Sequence, residues 1–317
     1  MLRPGIFSIS SPYPRRPQKS VTSCCAVRCH SAIALFWLLH FLPLSMLAHV
    51  GRWLGVLLYR FGGRRRRIAL TNLSLCFPDL GEEQRQALAR EHFRALGRSI
   101  LERSLLWWAS PERLSRLIRV SGAEQISALR DAGRPVILLA PHFLGLDAGG
   151  IGIAMRFDSL SMYSVQKNPV FNRLLLRGRQ RFGDQLLLSR QDGTRASIRA
   201  MRSGRPFYYL PDMDFGRRDS VFVPFFGVDA ATITGLSRLA RAAKAAVVPC
   251  ITRMLPGGQG YVVDVGEAWE DFPTDDVSAD TARMNAYIES IVRTQPEQYY
   301  WVHRRFKTRP EGQPGVY

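Results

Sequence analysis

One histidine and one aspartate, five positions apart, offer the clearest catalytic chemistry in the sequence. His142 and Asp147 come directly after Val136–Ala140, an apolar run typical of a buried strand. A carboxylate that accepts a hydrogen bond from one imidazole nitrogen fixes the tautomer and leaves the other nitrogen free as a base. We therefore predict a pair that removes the proton from a substrate hydroxyl. A partly buried histidine held by a nearby carboxylate, with no catalytic role, is an equally good interpretation of these two residues alone.

The spacing also predicts where the pair lies in the fold. Inside one regular helix, five steps of about 100° would turn the two side chains to different faces. We therefore expect His142 in a turn between strand and helix, and Asp147 in the first helical turn, reaching back to the imidazole. In open α/β folds, functional groups collect at such carboxyl ends of strands.

Other reaction types have little support in the sequence. It contains no Gly-x-Ser-x-Gly elbow for a serine nucleophile and no Gly-x-x-x-x-Gly-Lys-Ser/Thr loop for a nucleotide. Gly150 and Gly152 begin a dinucleotide-binding pattern, but Met155 replaces its third glycine. The remaining histidines are scattered without paired spacing, so we expect no metal centre and no cofactor.

After Pro135, short apolar runs alternate with helical stretches, which predicts an α/β sheet with crossover connections. Strands are expected over residues 136–140, 160–165, 185–188, 207–210, 246–251 and 261–265. Helices are expected over residues 145–157, 170–182, 194–203 and 233–245. Upstream, apolar residues at helical spacing predict an amphipathic helix that starts near Asp79 and Glu82, and Ser110 with Pro111 begins another helix.

The N-terminal residues divide into two parts. Residues 1–30 contain four prolines among scattered arginines, which predicts a disordered basic tail. Residues 31–63 are strongly apolar and predict a membrane-anchoring helical segment, which leaves 64–317 as the catalytic domain. The run Ala32–Leu47 is shorter than the roughly 20 residues that a spanning helix needs. Basic residues on both sides favour two cytoplasmic flanks and a re-entrant or in-plane helix pair, and a spanning helix stays open.

The net charge of +18 indicates an anionic partner for this chain. Charge alone does not distinguish anionic lipid from nucleic acid, so a basic, membrane-tethered nucleic-acid-binding protein is a second hypothesis. No recognised nucleic-acid module occurs in the sequence, and we therefore expect no nucleic-acid partner. Salt-sensitive binding to duplex DNA in preference to anionic vesicles would favour the second hypothesis.

Several short motifs follow one another in a distinctive order along the chain. They are Asn72-Leu73 with Cys76-Phe77-Pro78, His142 to Asp147, Lys167-Asn168-Pro169, Arg179 with Gly183, Leu210 to Asp214, Val221 to Gly227, and Pro296 to Lys307. With these motifs, the chain from about Ala32 to Tyr317 resembles the lauroyl/myristoyl family of lipid A late acyltransferases. That family is a branch of the lysophospholipid acyltransferase superfamily, whose hallmark is histidine, four residues, then aspartate or glutamate. Residues 1–30 depart from the family pattern, because relatives usually begin just before the membrane helix.

The resemblance implies a fold and an activity. The fold is a glycerolipid-acyltransferase-like mixed sheet flanked by helices, with N-terminal membrane-associated helices. The activity is transfer of a fatty acyl chain from acyl carrier protein to a hydroxyl of a Kdo-bearing lipid A precursor, with no acyl-enzyme. Such an enzyme contacts membrane lipids at the cell inner membrane, with its catalytic domain on the cytoplasmic side. Acylation of glycerophospholipids or other glycolipids is the nearer alternative.

The resemblance also implies roles for single residues. His142 takes the proton, and Asp147 orients the imidazole. Arg179 is expected near the reacting carbonyl or a phosphate of the acceptor, since a guanidinium suits either negative charge. One more exposed arginine on a basic helix is the alternative for Arg179.

Two further segments carry expectations. Asp212 and Asp214 are expected to hold basic groups of the site in place, or to form an ordinary polar turn. Phe225 lies in the apolar run 222–227, which is expected to line a groove for the acyl chain, with simple core packing as the alternative. The aromatic and basic run 299–307 is expected to form a helix at the lipid interface.

Overall fold

A computed structural model describes residues 33–166, 168–189 and 193–317 of the chain. The predicted tail over residues 1–30, and Lys167, lie outside the described residues. The helices are α1 (33–38), α2 (Leu44–Phe61), α3 (Gly63–Cys76), α4 (Glu82–Trp108), α5 (Pro111–Leu117), α6 (Ala123–Asp131), α7 (Leu146–Ala154), α8 (Pro169–Arg179), α9 (Gly193–Arg202), α10 (Gly235–Ala243) and α11 (Val277–Thr294). The strands are β1 (Ile118–Ser121), β2 (Val136–Leu139), β3 (Leu160–Tyr163), β4 (Leu186–Ser189), β5 (Phe207–Tyr209), β6 (Ser220–Phe225), β7 (Val228–Ile233), β8 (Ala246–Met254) and β9 (Tyr261–Val265). Short 3₁₀ helices occur at Leu39–Phe41, Pro256–Gly258 and Pro296–Gln298.

Within the described residues, seven strands form one sheet in the order β1-β9-β8-β2-β5-β3-β4. Neighbouring strands are parallel except for β8 and β9, which pair antiparallel. The predicted α/β fold with a mixed sheet flanked by helices is therefore confirmed. All the predicted strands are present. The structure also contains β1 and the hairpin β6–β7, which the sequence analysis did not predict. Strand β1 is short and follows helix α5 without a break, so no turn signal marks its start.

Side-chain alternation along the central strands divides the core into two layers. Ile137 and Leu139 of β2 point into the layer that contains apolar residues of α9, α10 and α11. Leu138 points into the opposite layer, which contains apolar residues of α4, α7 and α8. All three side chains are fully buried, and each such burial stabilises the fold by roughly 1.5–3 kcal/mol. A strand buried on both faces reads as a continuous apolar run, which is why β2 was predictable.

Helix α2 packs against α4 through glycine residues. Gly51 and Gly55 lie one turn apart on α2, and an added Cβ at Gly55 would lie 2.2 Å from the backbone oxygen of Phe93. On α4, an added Cβ at Gly97 would lie 2.1 Å from the backbone oxygen of Gly51. The two backbones therefore approach more closely than any other residue type would allow, and one face of α2 is part of the packed domain.

The opposite face of α2 is apolar and exposed. Its residues recur at helical spacing and are between 50% and 77% exposed: Met46, Val50, Trp53, Leu57 and Phe61. In the part of the chain that the structure describes, no helix is both long enough and apolar enough to cross a membrane. The predicted anchoring segment thus contains an amphipathic helix with one unpartnered apolar face, which we call the apolar face of α2.

Candidate active site

The two sides of the candidate site come from neighbouring parallel strands, β2 and β5. His142 follows β2, and Asp212 follows β5. The chain leaves β2 through α7 toward β3, whereas it leaves β5 through the hairpin β6–β7 and α10 toward β8 on the other side. Connections that diverge from adjacent strands open a crevice at the carboxyl ends of those strands, where open α/β sheets bind ligands. The fold thus brings together two residues that are 70 positions apart in the sequence.

Asp212 binds His142 through both carboxylate oxygens. The backbone N–H of His142 donates to Oδ2 at 2.9 Å, and the imidazole Nδ1 lies 2.7 Å from Oδ1. Because an ionised carboxylate only accepts hydrogen bonds, Nδ1 carries the proton of the neutral imidazole and Nε2 is left as the base. The side chain of His142 is 17% exposed and that of Asp212 is 1% exposed. The base therefore remains accessible while its partner is shielded.

Asp212 stays a carboxylate although it is buried. Burial has the largest influence on its pKa and raises it, but the positive charge that His142 carries when it is protonated, the hydrogen bonds from His142 and the charge of Arg305 together lower the pKa below its ordinary value. Burial, followed by the negative charge of Asp212, raises the pKa of Tyr299 well above its ordinary value. The phenol thus stays neutral beside an ionised Asp212, and the imidazole has a fixed negative partner.

Asp147 is held by two arginines rather than by the imidazole. Its Oδ2 accepts from Nε of Arg103 at 2.7 Å, and its Oδ1 accepts from Nη2 of Arg179 at 3.1 Å. Burial alone would raise the pKa of Asp147, but the charges and hydrogen bonds of both arginines outweigh it and lower the pKa to about 2. The expected arrangement, in which Asp147 fixes the tautomer of His142, differs from the structure, where Asp212 makes that contact.

The position of each side chain on its helix explains this difference. Asp147 lies in the first turn of α7, as expected, where the helix dipole favours a negative charge. Its carboxylate meets Arg103 of α4 and Arg179 at the end of α8. Arg179 is 27% exposed and ion-paired, so it is not an ordinary surface arginine. His142 lies before α7, in the loop that follows β2, and this loop is positioned separately.

The C-terminal segment holds the His142 loop through its backbone. Tyr300 N–H donates to the carbonyl oxygen of His142 at 3.0 Å, and Leu144 N–H donates to that of Gln298 at 2.8 Å. These bonds flank an antiparallel bridge between the residues that follow His142 and precede Tyr300. The loop therefore behaves as a short strand paired with the C-terminal segment, which limits the movement of the imidazole.

The segment around Trp301 is buried, so the predicted helix at the lipid interface is wrong. Trp301 and Arg305 are 0% and 2% exposed, and residues 299–307 form turns rather than a helix. Asn72 of α3 donates to the carbonyl oxygens of Trp301 and His303, both at 2.7 Å. Alternating aromatic and basic residues resemble an interfacial pattern, but here they pack under the active-site loop.

Phe225 also lies in the core rather than along an acyl groove. Its side chain is 0% exposed, its ring lies 6.3 Å from that of Phe306 in a tilted arrangement, and the guanidinium of Arg305 lies 5.1 Å from the centre of its ring. Phe226 and Gly227, both with positive φ, form the two-residue turn of the hairpin β6–β7. The apolar run 222–227 therefore forms most of β6 and the turn of this hairpin. Phe225 does not line the cavity beside His142 that is described below.

Asp214 contacts the C-terminal segment near Thr308 rather than the residues around His142. Its carboxylate accepts from the backbone N–H of Gly216 at 2.9 Å and from the hydroxyl of Thr308 at 2.8 Å. The ammonium of Lys307 lies 3.7 Å away. The expectation that Asp212 and Asp214 hold basic groups applies in part, since Asp214 has a lysine nearby and Asp212 holds the histidine.

A cavity of about 930 Å³ lies beside His142 and Asp147. Helix α4 contributes one stripe to its wall, with residues at alternating steps of three and four: Phe93, Leu96, Ile100, Arg103 and Trp107. At 1.5 Å per residue this stripe extends about 21 Å. The lining is mainly apolar, and its polar groups include His142, Arg103, Asp147 and Arg179. Such a cavity fits an elongated apolar ligand with one polar reacting end.

Arg103 was missed in the sequence analysis. Many arginines lie on amphipathic helices, so composition does not distinguish this one. A usable signal is that Arg103 interrupts an otherwise apolar stripe of α4 between Ile100 and Trp107. Charged residues on the apolar side of a helix need a partner, and here the partner is Asp147.

Known proteins similar to this chain act in lipid A biosynthesis. The family model described as bacterial lipid A biosynthesis acyltransferase matches residues 19–308. The chain is 37% identical to the lipid A biosynthesis lauroyltransferase of Escherichia coli (strain K12), over 90% of this chain and 93% of that protein. It is 34% identical to the myristoyltransferase of lipid A biosynthesis from the same organism, over 84% of this chain and 82% of that protein. The chain therefore belongs to the family of bacterial lipid A biosynthesis acyltransferases.

Proposed function

We propose that this acyltransferase moves a fatty acyl chain from acyl carrier protein to a hydroxyl of a Kdo-bearing lipid A precursor, with His142 as the general base. The observation that carries the proposal is the hydrogen bond of 2.7 Å between Nδ1 of His142 and Asp212, beside an apolar cavity of about 930 Å³. This pair supplies a base, and the cavity supplies room for an acyl chain. The names of the relatives, which specify lauroyl and myristoyl transfer in lipid A biosynthesis, support a fatty acyl group and a lipid A precursor as the acceptor.

The reaction is a single displacement without an acyl-enzyme. As the acceptor oxygen attacks the thioester carbonyl carbon, its proton moves to Nε2 of His142. A carbon–oxygen bond forms, the carbon–sulfur bond breaks, and the imidazolium returns the proton to the departing thiolate. A positioned imidazole contributes roughly 10²- to 10⁴-fold to such a reaction. Asp212 acts through His142, so we assign it as a positioning residue.

The two arginines provide the positive charge that the reaction requires. In the transition state the thioester oxygen becomes negative, and fixed donors at that oxygen are worth far more in a water-poor cavity than in solution. Arg103 and Arg179 both line the cavity and are fixed by Asp147. They face either this oxygen or a phosphate of the acceptor. Asp147 then orients the arginines, which replaces its expected role on the imidazole.

The apolar face of α2 fits the surface of a membrane. Exposed basic residues lie in its last turn, at Arg60, and just beyond its C-terminal end, at Arg64 and Arg67. An amphipathic helix of this type lies in the plane of the interface, and each basic residue near an anionic leaflet adds about 1 kcal/mol of attraction. We place the enzyme on the cytoplasmic side of the cell inner membrane, with α2 lying in that leaflet.

Mass spectrometry of lipid A tests this proposal in a host that lacks its own late acyltransferases. The wild-type chain should add one acyl mass to lipid A, and His142→Ala should add none while its folding and membrane association remain unchanged. His49→Ala is the matched control, because this exposed histidine lies outside the cavity. It should behave as the wild type.

The opposite result is equally informative. If the wild-type chain reaches the membrane and leaves lipid A unchanged, the acceptor assignment is wrong. A competition assay with purified enzyme then compares a phosphorylated, Kdo-bearing lipid A precursor with lysophospholipids and other glycolipids. Preferred use of a lysophospholipid would replace the proposed acceptor.

A further inference from the structure

The two ends of the cavity differ in character. One end is lined by Leu58, Gly62 and Arg65, where α2 meets α3 beside the apolar face of α2. The other end lies under α7 and α8, and we call it the distal arm. Its apolar lining comes from α7, α8 and β4, namely Gly150, Ile151, Ala154, Phe171, Leu175 and Leu187. Arg65 at the first end is exposed, whereas Ile151, Ala154 and Leu175 of the distal arm are buried and Phe171 is 39% exposed.

The distal arm has a definite depth. Asp147, Gly150, Ile151 and Ala154 line the cavity at steps of three, one and three residues, which places them on one face of α7. From Asp147 to Ala154 the helix rises about 10 Å. The arm therefore starts at the arginine-bound carboxylate near the reacting groups and runs along α7 away from them.

Buried polar groups close the far end of this arm. Oε1 of Gln185 accepts from the backbone N–H of Ser159 at 3.1 Å, and its Nε2 donates to the carbonyl oxygen of Phe157 at 3.0 Å. Gln185 and Ser159 are 8% and 6% exposed, and both line the cavity. Because these groups are hydrogen-bonded to one another and to the backbone, the floor is fixed. It stops an alkyl chain by its position and offers that chain no apolar space beyond.

Gly150 leaves open the wall halfway along the arm. An added Cβ at Gly150 would meet only Cε1 of Tyr208, at 3.8 Å, which is an ordinary contact. At the neighbouring Gly149, an added Cβ would lie 2.1 Å from Oγ1 of Thr252, so packing requires glycine there. Packing does not require glycine at position 150, and glycine weakens a helix relative to alanine. Its effect is to keep the distal arm wide.

We propose that the distal arm holds the acyl chain of the donor and that Gly150 sets the longest chain accepted. This inference rests on the proposed function, since it concerns the acyl donor of that reaction. A chain whose carbonyl carbon lies by His142 continues past Arg103 and Arg179 into the arm. The acceptor, which carries several chains, approaches from the end of the cavity beside the apolar face of α2. An arm that ends at the hydrogen-bonded Gln185 and Ser159 limits the length of one chain, whereas an end beside the apolar face of α2 does not.

Substitutions that grow from Gly150 into the arm test this proposal. Full-length enzyme with the lipid A precursor receives an equal mixture of decanoyl, lauroyl, myristoyl and palmitoyl acyl carrier protein, and mass spectrometry gives the product distribution. Gly150→Ala should move the distribution toward shorter chains, and Gly150→Leu should move it further. Each methylene displaced from the arm should lower the rate with that donor about fourfold. Gly63→Leu is the matched control, because an added Cβ there meets nothing within 4 Å and the residue is outside the cavity.

A second measurement separates this inference from the proposed function. Calorimetric titration measures the affinity of the enzyme for the free fatty acids of the same series, with no acceptor present. If the wild type fails to acylate the glycolipid but Gly150→Leu still loses affinity for the longer fatty acids, the proposed function fails and the arm assignment stands. A product distribution and a binding profile that are both unchanged in Gly150→Leu would overturn the assignment. Equal loss for every chain length in Gly150→Ala would overturn it as well.

Discussion

Two buried aspartates lie near His142, the proposed base, and they have different partners. Asp147 is five positions from His142 in the sequence and is held by Arg103 and Arg179. Asp212 is 70 positions away and binds the imidazole and the backbone of His142. Proximity in sequence therefore identifies a neighbour of the site, whereas the sheet topology decides which carboxylate touches the base.

The electrostatic settings of the two aspartates also differ. Asp147 has two guanidinium partners, and these overcome burial to lower its pKa to about 2. Asp212 depends on a titratable partner, His142, and on the more distant charge of Arg305. Because Asp212 holds the imidazole and Asp147 holds the two arginines, a substitution at one carboxylate can change its own partner without disturbing the other's.

Replacing Asp212 should have the largest effect on this comparison. Asp212→Asn keeps the size of the side chain but no longer fixes the tautomer with a charged acceptor, so kcat should fall about 10³- to 10⁴-fold. KM for acyl carrier protein should change little. Steady-state transfer assays measure both values, and a thermal melt checks the fold. An Asp212→Asn enzyme with nearly wild-type kcat would show that the imidazole does not depend on this carboxylate.

Replacing Asp147 should have a smaller effect of another kind. Asp147→Asn releases Arg103 and Arg179 from their fixed positions, so kcat/KM should fall on the order of 100-fold through loss of aligned charge. The pH dependence of kcat should keep its wild-type shape, because the base and Asp212 are intact. A pH–rate profile with an altered limb in Asp147→Asn and an unaltered one in Asp212→Asn would reverse the assignments.

The smallest effect concerns stability in acid. The pKa of Asp147 is about 2 in the folded protein and 3.8 ordinarily, a difference equivalent to about 2 kcal/mol. Because the folded pKa is lowered, this contribution is complete above about pH 4 and is lost as the pH falls through about 2. Arg103→Gln should raise the pKa of Asp147, so that the loss begins at a higher pH. Urea unfolding as a function of pH measures this change.

A surface ion pair provides the control for that measurement. Arg52 and Glu91 lie 3.4 Å apart with side chains 48% and 42% exposed. Arg52→Gln should change the free energy of unfolding by less than about 1 kcal/mol at any pH, since exposed pairs contribute little. An acid profile of Arg103→Gln that coincides with that of Arg52→Gln would mean that Asp147 is not stabilised by its arginines.

Much of the fold followed from the sequence because its central strands are continuous apolar runs. Residues 261–265 were predicted to the residue, and β2 differed by one at its end. The hairpin β6–β7 was missed because a turn at Phe226 and Gly227 relies on positive φ at a phenylalanine, which no local pattern indicates. The apolar run before that turn was therefore assigned to a groove when it belongs to the core.

Most members of the candidate site were predictable, although Arg103 was not, and the pairings were not. His142, Asp147, Arg179 and Asp212 were all expected in the site, and the structure brings them to one end of the sheet. Their pairing depends on the order of β2 and β5 and on the C-terminal segment that holds the His142 loop. Such contacts join residues far apart in the chain, so spacing carries no information about them.

Nitrogen NMR of histidine-labelled enzyme can show which carboxylate fixes the imidazole of His142, with His142→Ala used to assign the signal. We expect that His142 carries its proton on Nδ1, that this signal persists in Asp147→Asn, and that Asp212→Asn shifts it or divides it between the two tautomers. If the signal survives Asp212→Asn unchanged and is lost in Asp147→Asn, Asp147 and not Asp212 is the partner of the imidazole.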